Sequence, residues 1–302
     1  MPVRPASVPV TLYPFASHVL DRQGLTYHYV DEGQGEPVVM VHGNPTWSFY
    51  YRNLVLALKG QYRTVVPDHM GMGLSDKPGD ARYDYRLKSR IDDLEALLLH
   101  LNLLQGPKLT LVMHDWGGMI GMGLAARHPE RIGRLVLMNT AAFHLPSDMR
   151  LPLALRAIRN TPFGAVAVRG FNAFSRTAAH VGAKRPKLTH ALRQAYCAPY
   201  DSWASRIATL RFVQDIPVTA QDPSYETVSQ TEAALPQFAH TPAMFAWGMK
   251  DFVFTPQVLQ HWRKRWPLAE VHTFADCGHY ILEDAAAEVC ALVQTFLARH
   301  PL

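Results

Sequence analysis

The chain has 302 residues, 48% hydrophobic and 18% charged, which is enough apolar content to bury a core and too much for a disordered or fibrous chain. Its 30 Lys and Arg against 25 Asp and Glu give a net charge of +5, with no block of like charges that would mark a nucleic-acid footprint. No apolar run reaches the ~18 residues needed to span a bilayer, and the opening Met1-Pro2-Val3-Arg4-Pro5 lacks the apolar core of a signal peptide, so a cytoplasmic protein is expected.

Residues 1–18 are Pro-rich without a period and read as an arm. Residues 23–31 alternate, with Leu25, Tyr27 and Tyr29 on one face. After Gly33-Gln34-Gly35 the run 37–41 is apolar throughout, which predicts a hairpin feeding a buried strand. A short β-branched run at 62–66 ends at Pro67-Asp68. Ile91, Leu94, Leu97, Leu98 and Leu101 then recur at helical spacing, and 109–113 predicts a third buried strand. A helix over 118–128 and a strand over 134–138 follow. This alternation predicts a mostly parallel sheet flanked by helices. From 144 to 217 the period breaks into short helical pieces punctuated by Pro146, Pro152, Pro162, Gly164, Gly170 and Pro199. That stretch predicts an inserted helical cap between two parts of one core, 1–143 and 218–302. The α/β pattern resumes with a helix at 224–235, a strand at 242–248, a helix at 256–266, a strand at 270–274 and a last helix at 285–298.

The stretch 109–123 carries the most chemistry. A buried strand runs into the tight turn His114-Asp115-Trp116-Gly117 and then a Gly-rich helix, the pattern of a nucleophile elbow with Asp where esterases place Ser. A carboxylate nucleophile displaces a leaving group from saturated carbon or opens a strained ring, and its ester needs a base to activate water. His279, in Ala275-Asp276-Cys277-Gly278-His279-Tyr280, follows the last predicted strand. Nucleophile, acid, His is the chain order of the α/β-hydrolase triad. Asp251 follows an earlier strand and is the candidate acid. The competing place after Met138 holds Asn139, whose amide cannot stabilise imidazolium as a carboxylate does.

The loop His42-Gly43-Asn44-Pro45-Thr46-Trp47 offers a backbone amide to an oxyanion, and the N–H of Trp116 offers a second. The side chains of Asn44 and Trp116 would point donors at a departing anion; an indole N–H is donor only, which suits a halide or carboxylate. Each residue has a plainer reading: Asp115 as a helix cap, His279 as a loop histidine, Asp251 as a turn residue, Trp116 as packing. The cap aromatics Phe163, Phe171, Phe174, Tyr196, Tyr200 and Trp203 are candidates either for lining an apolar pocket or for core packing. The odd set Cys197, Cys277 and Cys290 has no CxxC spacing, so neither a disulfide framework nor a zinc site is indicated. The glycines at 71–73 and 117–123 form no phosphate-binding loop. Neither a metal nor an organic cofactor is implied.

Four motifs together resemble the haloalkane dehalogenase family: His42-Gly43-Asn44-Pro45-Thr46, Pro67-Asp68-His69-Met70-Gly71-Met72-Gly73-Leu74-Ser75-Asp76-Lys77-Pro78, His114-Asp115-Trp116-Gly117-Gly118 and Asp276-Cys277-Gly278-His279-Tyr280. The match covers nearly the whole chain, the cap least firmly, and implies an α/β-hydrolase fold with a helical cap. Epoxide hydrolases share the Asp-Trp-Gly-Gly elbow but usually carry an aromatic where Asn44 stands and use a pair of cap tyrosines.

Within the family the chain is most similar to the branch containing the β-lactone decarboxylases of bacterial long-chain olefin biosynthesis. The stretches Trp47-Ser48-Phe49-Tyr50-Tyr51-Arg52, Asn139-Thr140-Ala141-Ala142-Phe143, Pro199-Tyr200-Asp201-Ser202-Trp203, Arg211-Phe212-Val213-Gln214-Asp215-Ile216-Pro217 and Gly278-His279-Tyr280-Ile281-Leu282-Glu283-Asp284 carry this likeness. The resemblance implies a hydrophobic small-molecule substrate, a cis-β-lactone with two long alkyl chains, and a cis-alkene and carbon dioxide as products. It implies partner enzymes as well, a thiolase, a β-lactone synthetase and a reductase, in a complex allowing peripheral membrane association. Haloalkane hydrolysis is the second expectation and epoxide hydrolysis the third. A non-catalytic scaffold member of the fold would predict a damaged triad, whereas every element is present here.

Overall fold

The computed structural model describes residues 3–147, 149–185 and 187–302. In chain order the first part runs β1 (His18–Asp21), β2 (Thr26–Glu32), β3 (Pro37–Val41), α1 (Arg52–Leu58), β4 (Arg63–Pro67), α2 (Leu87–His100), β5 (Leu109–Asp115), α3 (Gly117–Arg127) and β6 (Ile132–Thr140). Short helices follow: α4 (Leu153–Asn160), α5 (Pro162–Ala165), which continues into a π-helical turn at Val166–Gly170, α6 (Ala173–Val181), α7 (His190–Cys197) and α8 (Ile207–Gln214). The rest is α9 (Tyr225–Ala234), β7 (Ala243–Gly248), α10 (Pro256–Arg265), β8 (Glu270–Phe274), α11 (Ile281–Asp284) and α12 (Ala286–Arg299).

The eight strands form one sheet in the order β1-β2-β4-β3-β5-β6-β7-β8. The pairs β1/β2 and β2/β4 are antiparallel and every other pair is parallel. Strands β3 and β5 are buried along their whole length, as runs without alternation require when both faces are covered. One apolar cluster packs on each face.

Two expectations change. Strand β2 does not form a hairpin with β3; it pairs with β4, Val30 opposite Val66, because both edges of β3 are taken by parallel ladders to β4 and β5. The segment read as an arm is packed: Val8 and Tyr13 are buried, Tyr13 bonds Ser48 at 2.5 Å, and His18 already begins the edge strand β1. Among the described residues of 144–217 there is no strand, and no helix of the described chain is long and apolar enough to cross a membrane.

Candidate active site

Strand β5 ends at Asp115, whose φ of 53° lies in the left-handed region. A non-glycine residue held there costs about 1–3 kcal/mol, and the turn it makes lifts the carboxylate above the sheet. Two neighbours make the turn possible. A Cβ on Gly117 would overlap the Val41 carbonyl of β3, and one on Gly43 would overlap the Asp115 carboxylate itself. The carboxylate is held by the Asn44 backbone N–H at 2.6 Å on Oδ1 and by the Trp116 backbone N–H. Burial pushes its pKa up from the ordinary 3.8, and His279 and these two amides only partly offset the rise.

His279 lies on the loop after β8. Its Nδ1 is 2.8 Å from Asp251 Oδ2 and its Nε2 is 3.7 Å from Asp115 Oδ2. Burial works against the imidazolium, but the carboxylates of Asp251 and Asp115 outweigh it and raise the pKa above 6.5. The network assigns the proton of the neutral ring to Nδ1, facing Asp251, and the lone pair to Nε2, facing Asp115. The residue is fixed from both sides: Phe254 stacks on the ring at 5.9 Å, and the His279 carbonyl accepts from His114 Nε2 at 2.8 Å. Asp251 is 3% exposed, and its Oδ1 accepts the N–H groups of Val253 at 2.7 Å and Phe254 at 3.1 Å. Asn139 clamps the end of β7 beside it, donating to the Gly248 carbonyl at 3.0 Å and accepting the Gly248 N–H at 2.8 Å.

The expected anion donors sit differently from one another. Trp116 presents its ring to the edge of Phe212, centroids 5.4 Å apart, and its indole N–H has no acceptor among the described residues. One side-chain N–H of Asn44 is committed to the Thr209 carbonyl of α8 at 3.0 Å, and Asn44 Oδ1 is buried without a partner. The second amide hydrogen remains for a ligand. The backbone amides read as oxyanion donors hold the free carboxylate in this state. Once Asp115 Oδ2 carries an ester, the same N–H groups face the ester carbonyl and the oxyanion formed when water attacks it.

Above these groups is a cavity of about 680 Å³ between the strand-end loops and residues of 144–217. Asn44, Asp115, Trp116 and His279 all line it, and Met149, Leu155, Ile158, Phe174 and Val181 are among its apolar walls. Of the six cap aromatics only Phe174 lines it. Phe163, Phe171 and Trp203 are exposed, while Tyr196 and Tyr200 are buried with their hydroxyls on Glu283 and on the Thr46 carbonyl. Among the described residues no tyrosine of 144–217 lines the cavity. Thr209, Phe212 and Phe254 contact Asn44, Trp116 and His279 and were not anticipated as site residues; Phe212 lies in the stretch 211–217 noted for its family likeness, and no spacing marks the other two. Among the described residues no group of three or more His, Cys, Asp or Glu is arranged to hold a metal.

Residues 36–286 match the family described as the alpha/beta hydrolase fold. The chain is 61% identical over 287 residues to the cis-3-alkyl-4-alkyloxetan-2-one decarboxylase of Shewanella oneidensis, covering 95% of this chain and 90% of that one. It is 47% identical to the protein of the same name from Xanthomonas campestris pv. campestris, covering 96% and 98%. Among solved structures it resembles the haloalkane dehalogenase DbeA of Bradyrhizobium elkani USDA94, with a TM-score of 0.81, 26% identity, and 94% and 99% of the two chains covered.

Proposed function

Because this chain belongs to the alpha/beta hydrolase fold family, we propose that Asp115 is the nucleophile of a decarboxylase acting on cis-3-alkyl-4-alkyloxetan-2-ones, β-lactones with two alkyl chains. The products are a cis-alkene and carbon dioxide. The observation that carries the mechanism is a buried carboxylate, strained clear of the sheet, facing an apolar cavity beside a free indole N–H.

Asp115 Oδ2 attacks the ring carbon that bears the ring oxygen, inverting it. The carbon–oxygen bond breaks, its electron pair leaves on the lactone oxygen, and the product is an alkyl ester of Asp115 with a free carboxylate on the adjacent carbon. Trp116 Nε1 and the free amide hydrogen of Asn44 receive that developing charge, in a cavity where hydrogen bonds to anions are strong. The bond to the carboxylate then breaks, its electrons form the alkene, and the Asp115 carboxylate departs unchanged. Inversion followed by anti loss gives a cis-alkene from a cis-lactone. No water is consumed.

The His279–Asp251 pair supports a second reading, haloalkane hydrolysis, because only a stable Asp115 ester needs a base. The test is His279→Ala with a cis-dialkyl β-lactone and with a 1-bromoalkane. Alkene formation should survive far better than alcohol formation, with the bromoalkane stalling as an Asp115 ester visible by mass spectrometry. Equal loss of alkene and alcohol, or a trans-alkene product, would count against ring-carbon attack. Bromide release without any alkene from the lactone would leave only the second reading.

A further inference from the structure

Arg90 of α2 is 1% exposed, far from the usual place of an arginine. Its Nη1 bonds Asp215 Oδ2 at 2.8 Å and its Nη2 donates to the Tyr85 carbonyl at 2.6 Å, while Nε has no partner. Asp215 follows the last turn of α8. Its Oδ1 also takes the Ser224 hydroxyl at 2.7 Å and Arg86 Nη1 at 3.3 Å. The guanidinium carbon lies 3.7 Å from the centroid of the Phe212 ring and 5.2 Å from that of the Trp116 ring. Helix α8 therefore touches both anion donors, Trp116 through Phe212 and Asn44 through the Thr209 carbonyl, and the Arg90–Asp215 pair fastens its C-terminal end to α2.

A buried ion pair adds little stability over apolar residues of similar volume, because desolvation consumes most of the Coulomb gain. Directional bonding to Asp215 and a flat cation against Phe212 supply what apolar packing does not, a fixed register for α8. We propose that Arg90, through Asp215 and Phe212, is a positioning residue for the pocket that receives the developing carboxylate. The proposal rests on the reading of Trp116 and Asn44 as anion donors.

The experiment compares Arg90→Met with Asp215→Leu as a double variant, Arg90→Lys, and Trp116→Phe. Readouts are Tm, kcat and KM on the β-lactone, and bromide affinity by calorimetry. The double variant should keep a Tm near that of the unaltered protein, lose about tenfold to a hundredfold in kcat with KM within about threefold, and bind bromide about tenfold more weakly. Arg90→Lys, which keeps the charge but not the plane, should fall between, and it decides the matter should the double variant not fold. Unaltered kcat and bromide affinity in whichever variant folds, with Trp116→Phe impaired, overturn the positioning role. Unaltered behaviour of Trp116→Phe overturns the donor reading itself and this proposal with it.

Discussion

The loops at the C-terminal ends of β3, β5 and β7 hold their reactive groups by backbone geometry, whereas the stretch 144–217 holds its part of the cavity by side chains on short helices. On the sheet side Asp115 is fixed by its own dihedral and by two backbone amides, and Asp251 by two more. On the cap side α4 buries no residue at all, and Phe163 and Phe171 are 83% and 71% exposed. The charge divides along the same line. Residues 144–217 carry eleven Lys and Arg against three Asp and no Glu, a net +8, so the remainder of a chain at +5 carries −3. Strand ends place atoms for bond making; α4 lines the cavity with Ala154, Leu155 and Ile158 and bonds to none of those atoms.

Changes on the sheet side should break activity outright. Asp115→Ala removes the only carboxylate at the elbow and should abolish both alkene formation from a lactone and bromide release from a bromoalkane while leaving the circular dichroism spectrum intact. Retained turnover would remove the nucleophile from the mechanism. Asp251→Asn keeps acceptors for Val253 and Phe254 but turns an N–H toward His279 Nδ1, which drives the ring proton to Nε2. Alcohol formation should fall by about 10² to 10⁴, and alkene formation much less.

The same asymmetry should show in pH. His279 is raised above 6.5, so alcohol formation, which needs the neutral ring, is lost as pH falls through that raised value. Alkene formation needs only an ionised Asp115, whose pKa burial raises from 3.8, so its acid limb should report Asp115 and not His279. Coincident acid limbs would show that both reactions need the base.

Cap changes should be graded. Phe174→Ala, in the cavity wall, should raise KM for a long-chain lactone about tenfold with kcat nearly unchanged. Phe163→Ser, outside it, should move stability by no more than about 0.5 kcal/mol and leave kinetics alone. An effect of Phe163→Ser as large as that of Phe174→Ala would erase the distinction between cavity wall and outer face.

Much of the site was legible because its residues are bound to local backbone patterns. The elbow needs an apolar strand, a residue tolerant of positive φ and glycines where α3 meets β3. Those requirements write themselves at 109–118. Asp251 and His279, which the structure brings within 2.8 Å of each other, could be paired from sequence because strand ends are predictable and the triad has an order. Asn139, at the competing position, is read better from the structure as a clamp between β6 and β7 than as a failed acid.

The sequence by itself determined the strand-helix alternation and the placing of Asp115, Asp251 and His279 at or just after the ends of β5, β7 and β8, since each depends on periodicity or on a turn a few residues long. Tertiary structure alone decided the partner of β2, the packing of residues 3–18, the commitment of the Asn44 amide to Thr209, and which aromatic of six lines the cavity. It also decided the meeting of Arg90 with Asp215, 125 positions apart. These are contacts between segments distant in the chain. Their energies depend on how whole elements dock, and no local spacing records that.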